Sequence, residues 1–353
     1  MTIIPGCGMI PRNMPAYDPV PTNNPTHTEP GTPLLFARVL DGEGGGRAID
    51  WAGIQQWEPG ADGKVLWMHL CRNTPGVYEW LQDQVGIPEP TAELLTSDDT
   101  RPRAFREGNT LVATLRGINF NPGAEPEDMI SMQVWSDGTR LITLRRHPLQ
   151  TPRQILAKID RGAGPGDAGA IVTALTEAMV ARMNASIVDM NDHIDQLEHQ
   201  DMDDDPEEML QKIAGIRRNC LGLQRHMGPQ HVALEAISRD APPWFEDHDR
   251  REIAETIDRL RRYLDDIDVS KESAVVLMDE LRTRALASNE RATYMLTIVA
   301  GIFLPLGFLT GLLGINVGGM PGVNDGHAFW WVTGVCIAII GVLLAIFKRL
   351  RWL

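Results

Sequence analysis

Paired cysteines and the motifs of common enzymes are missing from this chain. Its four cysteines are scattered, with no Cys-x-x-Cys pair, which argues against a disulfide framework and a zinc knuckle. The sequence also has no glycine-rich phosphate loop, no Ser-His-Asp order and no His-Glu-x-x-His. We therefore predict that the protein is not an enzyme and holds no permanently bound cofactor.

Positive charge is scarce as well. The 353 residues carry 33 Lys and Arg against 47 Asp and Glu, a formal net charge of -14. Nucleic-acid binding needs a basic face, so we expect no nucleic-acid partner. An acidic balance suits a protein that gathers cations, although solubility alone explains it equally well.

The first 33 residues lack the apolar core of a signal peptide and contain eight prolines. We predict a disordered, proline-rich arm over residues 1–33. Insertion into a membrane would then depend on the C-terminal part of the chain.

Two stretches near the C-terminus contain no charged residue. They run from 295 to 313 and from 329 to 347, and 19 residues correspond to about 28 Å of helix. Because a bilayer's hydrocarbon core is about 30 Å thick, we predict two transmembrane helices joined by the loop 314–328. A buried helical hairpin in a soluble protein is the weaker alternative.

Basic residues indicate the orientation of these helices. Three arginines between 282 and 291 precede the first span and three basic residues between 348 and 351 follow the second, whereas the loop 314–328 has neither Lys nor Arg. By the positive-inside rule, both termini and the basic tail 348–353 face the cytoplasm. The expected location is the inner membrane of a cell.

Two spans are too few to enclose an aqueous path, so a pore would need several copies around an axis. The first span suits the lining, because its three glycines allow close packing and Pro305 can bend the helix. Asn316 lies at its outer end. A ring of such amides can hold a hydrated cation without trapping it.

A long charged helix enters an apolar span with an internal Leu-Pro, the span ends in Gly-Ile-Asn at 314–316, and Met-Pro follows in the loop. With these motifs the chain resembles the CorA family of divalent cation transporters. The family's commonest motif is Gly-Met-Asn, and the Gly-Ile-Asn variant is similar to its ZntB branch, which handles zinc. The specific similarity covers residues 289–353.

The resemblance implies a homopentamer that takes up zinc together with protons, with Gly314, Ile315 and Asn316 as its selectivity filter. Helical spacing back from Asn316 gives an inward face made of Leu312, Leu309 or Gly307, Leu304, Ala300, Leu296 and Thr293. Rings of Leu304 and Leu296 would form a narrow, dry constriction. Laid on the family's pore positions, the match favours Leu312, Gly307, Leu304, Leu296 and Thr293 as pore-lining residues.

Cations and protons must first bind outside the spans, which contain no Asp, Glu, His, Lys or Arg. In the outer loop, Asn324, Asp325 and His327 are the expected first contacts for a cation. A proton would bind there or in the cytoplasmic funnel that the helices before the first span would form. The spans alone fit a gated channel equally well.

Residues 34–165 predict an α/β domain with a mostly antiparallel sheet. Short apolar or alternating runs predict strands at 34–40, 65–70, 111–115, 129–135 and 141–144, with a hairpin turn at Asp137-Gly138. Helices are predicted at 77–85 and 91–95. The tryptophans at 51, 57, 67, 80 and 135 favour core packing over a ligand cage.

The next segment, 166–244, predicts an acidic helical hairpin. Ten carboxylates and no Lys or Arg lie between 189 and 208, so the stripe is either hydrated or covered by cations. Asp189 with His193, and Asp195 with His199, are spaced i, i+4, and each pair could share a zinc ion. A solvated helical face is the more economical interpretation of any one pair.

A helical pattern runs from residue 245 to 313, and no Pro or Gly interrupts it before Gly301. Apolar residues recur in alternating steps of three and four from Ile253 to Ala285, interrupted at Lys271, which is typical of a heptad seam. We predict a stalk helix over 245–294 that continues into the pore. Five copies, by the family resemblance, would form a funnel.

Two alternatives remain open at this stage. A magnesium or cobalt channel of the same family differs from a zinc transporter only through the residue at position 315. A membrane-anchored sensor or scaffold would use the hairpin as an anchor and would not need Asn316.

Overall fold

The structure, a computed structural model, describes residues 31–60, 63–124, 127–199, 206–314 and 326–349. The proline-rich arm up to residue 30 lies outside them. The elements in chain order are β1 (Leu34–Leu40), β2 (Gly46–Ala48), α1 (Trp51–Gln56), β3 (Leu66–Cys71), α2 (Val77–Asp83), α3 (Glu89–Thr96), β4 (Arg103–Glu107), β5 (Thr110–Gly117), β6 (Ile130–Ser136), β7 (Arg140–Arg145), α4 (Gln150–Asp160), α5 (Ala168–His199), α6 (Pro206–Arg239), α7 (Asp247–Leu313) and α8 (Ala328–Arg349).

The strands form one sheet in the order β2-β1-β3-β7-β6-β5-β4. Neighbouring strands are antiparallel except β3 and β7, which pair in parallel at the centre. The prediction of an α/β domain with a mostly antiparallel sheet is therefore confirmed. The strands β2 and β4 and the helices α1 and α4 were not predicted.

Helices cover both faces of the sheet, and each face has its own apolar core. Successive residues of β5 point to opposite faces, so Leu111 and Ala113 join one core and Val112 the other. The first core includes buried residues of α4, α5, α6 and the start of α7. The second includes buried residues of α1, α2 and α3. The result is a three-layer arrangement.

The predicted turn at Asp137-Gly138 joins β6 to β7. Gly138 has φ 92°, and a Cβ there would lie 2.6 Å from the Trp244 ring, so both conformation and space require glycine. The Asp137 carboxylate accepts hydrogen bonds from the backbone N–H groups of Thr139 and Arg140, at 2.9 and 2.7 Å. This turn fixes the start of β7 and the side chain of Arg140.

The helix α7 begins after Pro242-Pro243 and continues for 67 residues, about 100 Å of helix. The Glu246 N–H donates to the Asp249 carboxylate at 3.0 Å, which caps the first turn. The heptad seam is confirmed in its first part, since Ile253, Leu260 and Ile267 are fully buried. Lys271 interrupts the seam and pairs with Asp268.

The chain divides into two compact units. One contains the sheet, its covering helices and α7 up to residue 274. The other holds the first residues of α6 up to 211, the rest of α7 and all of α8.

Candidate ion-conducting site

Within the described residues, three helices are long and apolar enough to cross a membrane: Ala168–Leu197, Asp247–Leu312 and Ala328–Arg349. Half of the apolar window is buried in the first of them, because α5 contributes to the core over the sheet. The corresponding buried share is 6% for α7 and 0% for α8. The apolar ends of α7 and α8 are therefore the surfaces that the chain itself leaves uncovered.

One face of the apolar end of α7 lies against α8. Ile298 is 8% exposed, and a Cβ on Gly301 would lie 3.1 Å from Cζ of Phe347. Phe347, itself 8% exposed, is the last apolar residue before Lys348. The absence of a side chain at Gly301 lets the two helices approach closely at this level.

Four of the five predicted pore positions lie on the side of α7 turned away from Ile298. Leu296 and Leu304 are 69% and 71% exposed, and around an ideal helix they lie about 160° and 120° from Ile298. Thr293 and Gly307 are also exposed and lie on this side. We call these four exposed positions the strip. Leu312, 50% exposed, falls on the α8 side of an ideal helix, and it would join the strip only through a bend at Pro305.

The predicted selectivity filter begins where the described part of α7 ends. Gly314 donates its N–H to the Thr310 carbonyl at 2.9 Å and so closes the last turn. Ile315 and Asn316 lie outside the described residues, as do Asn324 and Asp325 of the outer loop.

His327, the remaining residue of the predicted outer-loop set, is exposed. Its carbonyl accepts hydrogen bonds from the N–H groups of Trp330 and Trp331, at 3.0 and 3.2 Å. Three consecutive exposed aromatic residues, 329–331, follow at the start of α8, and such residues favour a membrane–water interface. The backbone of His327 thus starts the second helix beside this aromatic group.

The predicted metal pairs lie near the end of α5. Nδ1 of His193 comes within 3.9 Å of Asp189 Oδ2, and both side chains are about half exposed. His199 ends the helix, and its side chain is outside what the structure describes. Among the described residues, no three His, Cys, Asp or Glu side chains gather closely enough to hold a metal ion.

A row of buried polar residues beside the heptad seam was missed by the sequence analysis. Asp249, Thr256 and Ser270 are each at most 2% exposed. Their positions differ by seven or fourteen residues, which is the spacing of the seam. Asp249, for example, lies four residues before the seam residue Ile253. This regular spacing was the available signal, but polar residues are not read as seam positions.

Asp249 is the member of this row whose side chain can carry a charge, and its pKa is shifted. Burial raises its pKa to about 6, and the nearby carboxylates of Asp167 and Glu246 act in the same direction, while the hydrogen bond from the Glu246 N–H opposes them. Its carboxylate lies over Gly169 in the first turn of α5, where a Cβ would come within 2.3 Å of Asp249 Oδ2. Asp249 therefore joins the beginnings of two long helices.

Comparison with known proteins places this architecture. A family model described as "CorA-like Mg2+ transporter protein" matches residues 62–349. The divalent cation transporter CmaX of Pseudomonas aeruginosa is 36% identical over 91% of this chain and 97% of its own. The zinc transport protein ZntB of Pectobacterium atrosepticum is 32% identical over 90% of this chain and 96% of its own.

A solved structure agrees with these sequence matches. The structure of the full-length CmaX protein superposes with a TM-score of 0.80 at 33% identity, covering 92% of this chain and all of the other. The likeness therefore includes the sheet domain as well as the long helices.

Proposed function

Because this chain belongs to the CorA family of divalent cation transporters, we propose that it takes up zinc through a pore built from five copies of α7. The observation that carries this proposal is the exposed strip on α7. Leu296 and Leu304 are about 70% exposed, so one chain leaves them uncovered. Neighbouring copies of the same strip, arranged around an axis, would enclose a conduit.

The strip would act as a hydrophobic gate. Two successive rings of leucine are narrow and exclude water, so a cation that has lost part of its hydration shell cannot pass until the helices move apart. Pro305 lies one residue from Leu304 and is inside the helix, where its missing N–H leaves a carbonyl free and allows bending. Bending at this point would change the diameter at Leu304.

Selection of the ion would take place at Asn316, just outside the end of α7. Amide oxygens bind a hydrated cation without a fixed charge, so the ion can leave again. In this arrangement Asn324, Asp325 and His327 draw cations to the mouth. Both termini face the cytoplasm, as the basic residues at 282–291 and 348–349 indicate.

We favour zinc as the transported ion because relatives of about 32% identity are named zinc transport proteins and because position 315 is isoleucine. Magnesium is the second candidate, since the matching family model is named for it and amide rings do not by themselves select zinc. Protons would accompany the ion by binding outside the spans, which lack Asp, Glu, His, Lys and Arg.

Flux into proteoliposomes tests these points together. Zinc and magnesium uptake would be measured in parallel, with and without an imposed pH gradient. We expect zinc uptake that rises when the outside is acidic, and mass measurement of the detergent-purified protein should give five chains. Uptake of magnesium alone would contradict the proposal that zinc is the transported ion. Zinc uptake that does not change with the pH gradient would contradict proton coupling.

Replacing Asn316 by Ala tests the filter itself. We expect uptake to fall at least about tenfold, because the loss of one ring of ion-binding amides should raise the barrier to ion passage by about 1.4 kcal/mol or more. Asn289→Ala, an exposed amide on the same helix before the apolar span, is the matched control and should leave uptake unchanged. Equal uptake by both variants would favour the membrane-anchored sensor instead.

A further inference from the structure

The two parallel strands at the centre of the sheet end side by side, and the chain leaves them toward opposite faces of the sheet. Cys71 at the end of β3 pairs with Arg145 at the end of β7, and the Arg72 N–H donates to the Arg145 carbonyl at 3.0 Å. After β3 the chain forms α2, which packs in the second core, whereas after β7 it forms α4, which packs in the first. Where the connections of neighbouring parallel strands part in this way, a crevice opens at the carboxyl ends of the strands, and ligands bind there.

This end of the sheet is basic in a protein that is acidic overall. No Asp or Glu occurs in residues 63–78 or 138–159, which contain the two strands and the connections that leave them. The arginines at the carboxyl ends are Arg72, Arg145, Arg146 and, in the first turn of α4, Arg153. Asp98, just after α3, neutralises part of this charge, since its Oδ1 accepts from Arg72 at 3.1 Å and from Arg146 at 2.9 Å.

The other two arginines, Arg145 and Arg153, are cations without an acceptor. Arg145 is half-buried, and in the part of the chain that the structure describes neither guanidinium donates a hydrogen bond or joins an ion pair. Burial lowers the pKa of Arg145, and the positive charge of Arg153 lowers it further. Both charges also act on the buried imidazole of His69, whose pKa is lowered to about 3, first by burial and then by Arg145 and Arg153, against the hydrogen bond with Thr143. Two like charges held together without a counter-charge favour the binding of an anion.

The first turn of α4 adds backbone donors to this arginine pair. The helix has 11 residues and begins after Leu149, whose side chain makes no capping hydrogen bond, so the N–H groups of its first turn have no side-chain acceptor. Arg153 lies in the same turn. The free N–H groups and the dipole of a helix attract negative charge to this position, and here they point to the same anion as the arginines do.

The chemistry of this crevice is that of a phosphate site. Guanidinium groups bind phosphate oxygens through pairs of hydrogen bonds, and a phosphate has enough oxygens to accept from two arginines and from a helix N-terminus together. A carboxylate has two oxygens and would leave part of these donors unused.

We propose that the carboxyl ends of β3 and β7 form a binding site for a phosphate group, held between Arg145 and Arg153 at the first turn of α4. Free inorganic phosphate and the phosphate of a nucleotide share this chemistry. The site lies in the sheet domain and does not depend on which ion is transported.

Calorimetric titration of the full-length protein in detergent tests the site, with inorganic phosphate and AMP as separate ligands in a phosphate-free buffer of constant ionic strength. We expect saturable binding with a dissociation constant of about 1 mM or lower. Similar affinities for the two ligands would support the site and show that the phosphate group alone is recognised. Binding of AMP at least about tenfold more tightly would support it with a nucleotide as the ligand. The absence of saturable binding by either ligand would overturn the proposal.

Three variants locate the binding. Arg145→Gln and Arg153→Gln each remove one charged donor and should weaken phosphate binding at least about tenfold, because hydrogen bonds between charged groups are the strong ones. Arg153 is exposed, so its replacement leaves the core intact even if that of the half-buried Arg145 does not. Lys158→Gln removes the same charge from an exposed position in the last turn of α4 and is the control. If Arg153→Gln binds phosphate as the parent protein does, or if Lys158→Gln weakens binding as much as Arg153→Gln, the assignment is wrong.

Discussion

The two ends of α7 present the same kind of side chain to different surroundings. In the first part, Leu260 and Ile267 are fully buried within the chain. In the last part, Leu296 and Leu304 are about 70% exposed. Burial of a leucine or isoleucine contributes about 1.5–3 kcal/mol, so the first part is stabilised by its own chain and the last part is not. The difference shows that one helix belongs to a folded domain and also presents an apolar surface meant for lipid or for other copies.

The largest effect is expected where the first part is most buried. Ile267→Ala should lower the free energy of unfolding by about 2–5 kcal/mol, because it removes methyl groups from a fully packed position. Urea denaturation of the detergent-solubilised protein, followed by far-UV circular dichroism, would measure it. Val232→Ala on α6, at a residue 62% exposed, is the control and should stay within about 0.5 kcal/mol. Similar losses from both variants would break the comparison.

A somewhat smaller effect is expected from Asp249, the charged exception in the buried first part. Its folded-state pKa of about 6 is above the ordinary aspartate value of 3.8. Between these values the folded state binds more protons than the unfolded state, so the contribution of Asp249 to stability is greatest below about pH 4 and is lost as pH rises to about 6. The expected loss by pH 7 is about 2–3 kcal/mol.

Asp249→Asn should remove this pH dependence. The amide oxygen can still accept the Glu246 N–H, whereas the buried negative charge is gone, so the variant should be more stable than the parent at pH 7 and similar to it near pH 4. Glu255→Gln, at an exposed site on the same helix, is the control. Parallel pH profiles for parent and Asp249→Asn would contradict the assigned pKa.

The sheet domain was largely predictable because its strands alternate or are continuously apolar. The strand β4 was not, because Arg103, Arg106 and Glu107 give it the charges typical of a sheet edge, where it pairs only with β5. The strand β2 was too short to show any pattern. Edge strands depend on their neighbours, and a local pattern does not report them.

The candidate site was predictable in its helices but not in its contacts. Uncharged length alone indicated the stretches 295–313 and 329–347; the first lies at the end of α7, which stops at Leu313, and the second lies within α8. The approach of Phe347 to Gly301 depends on how the two helices are rotated, which composition does not determine.

A transport measurement sharpens the comparison in the uncovered part of α7. Leu304→Ser should increase zinc flux about fivefold, because a polar ring wets the constriction and lowers the barrier by about 1 kcal/mol. Proteoliposome uptake would measure it. Val342→Ser on α8 removes similar apolar bulk from a residue 58% exposed and on the side away from Phe347, and should leave flux unchanged. Unchanged flux in Leu304→Ser would place the exposed strip against lipid.

The smallest effect concerns the one place where the uncovered part of α7 is packed. Replacing a helix-interior glycine by alanine stabilises a helix by about 0.5–1 kcal/mol, and Gly334→Ala on α8, with nothing within 4 Å of the new Cβ, should show that gain. Gly301→Ala should show little or none, since its Cβ would press on the Phe347 ring at 3.1 Å. Combining it with Phe347→Leu should recover part of the gain, as thermal unfolding in detergent would detect. Equal gains at both glycines would mean that α8 does not rest on α7 at this level, and the face opposite the predicted strip would then be as uncovered as the strip itself.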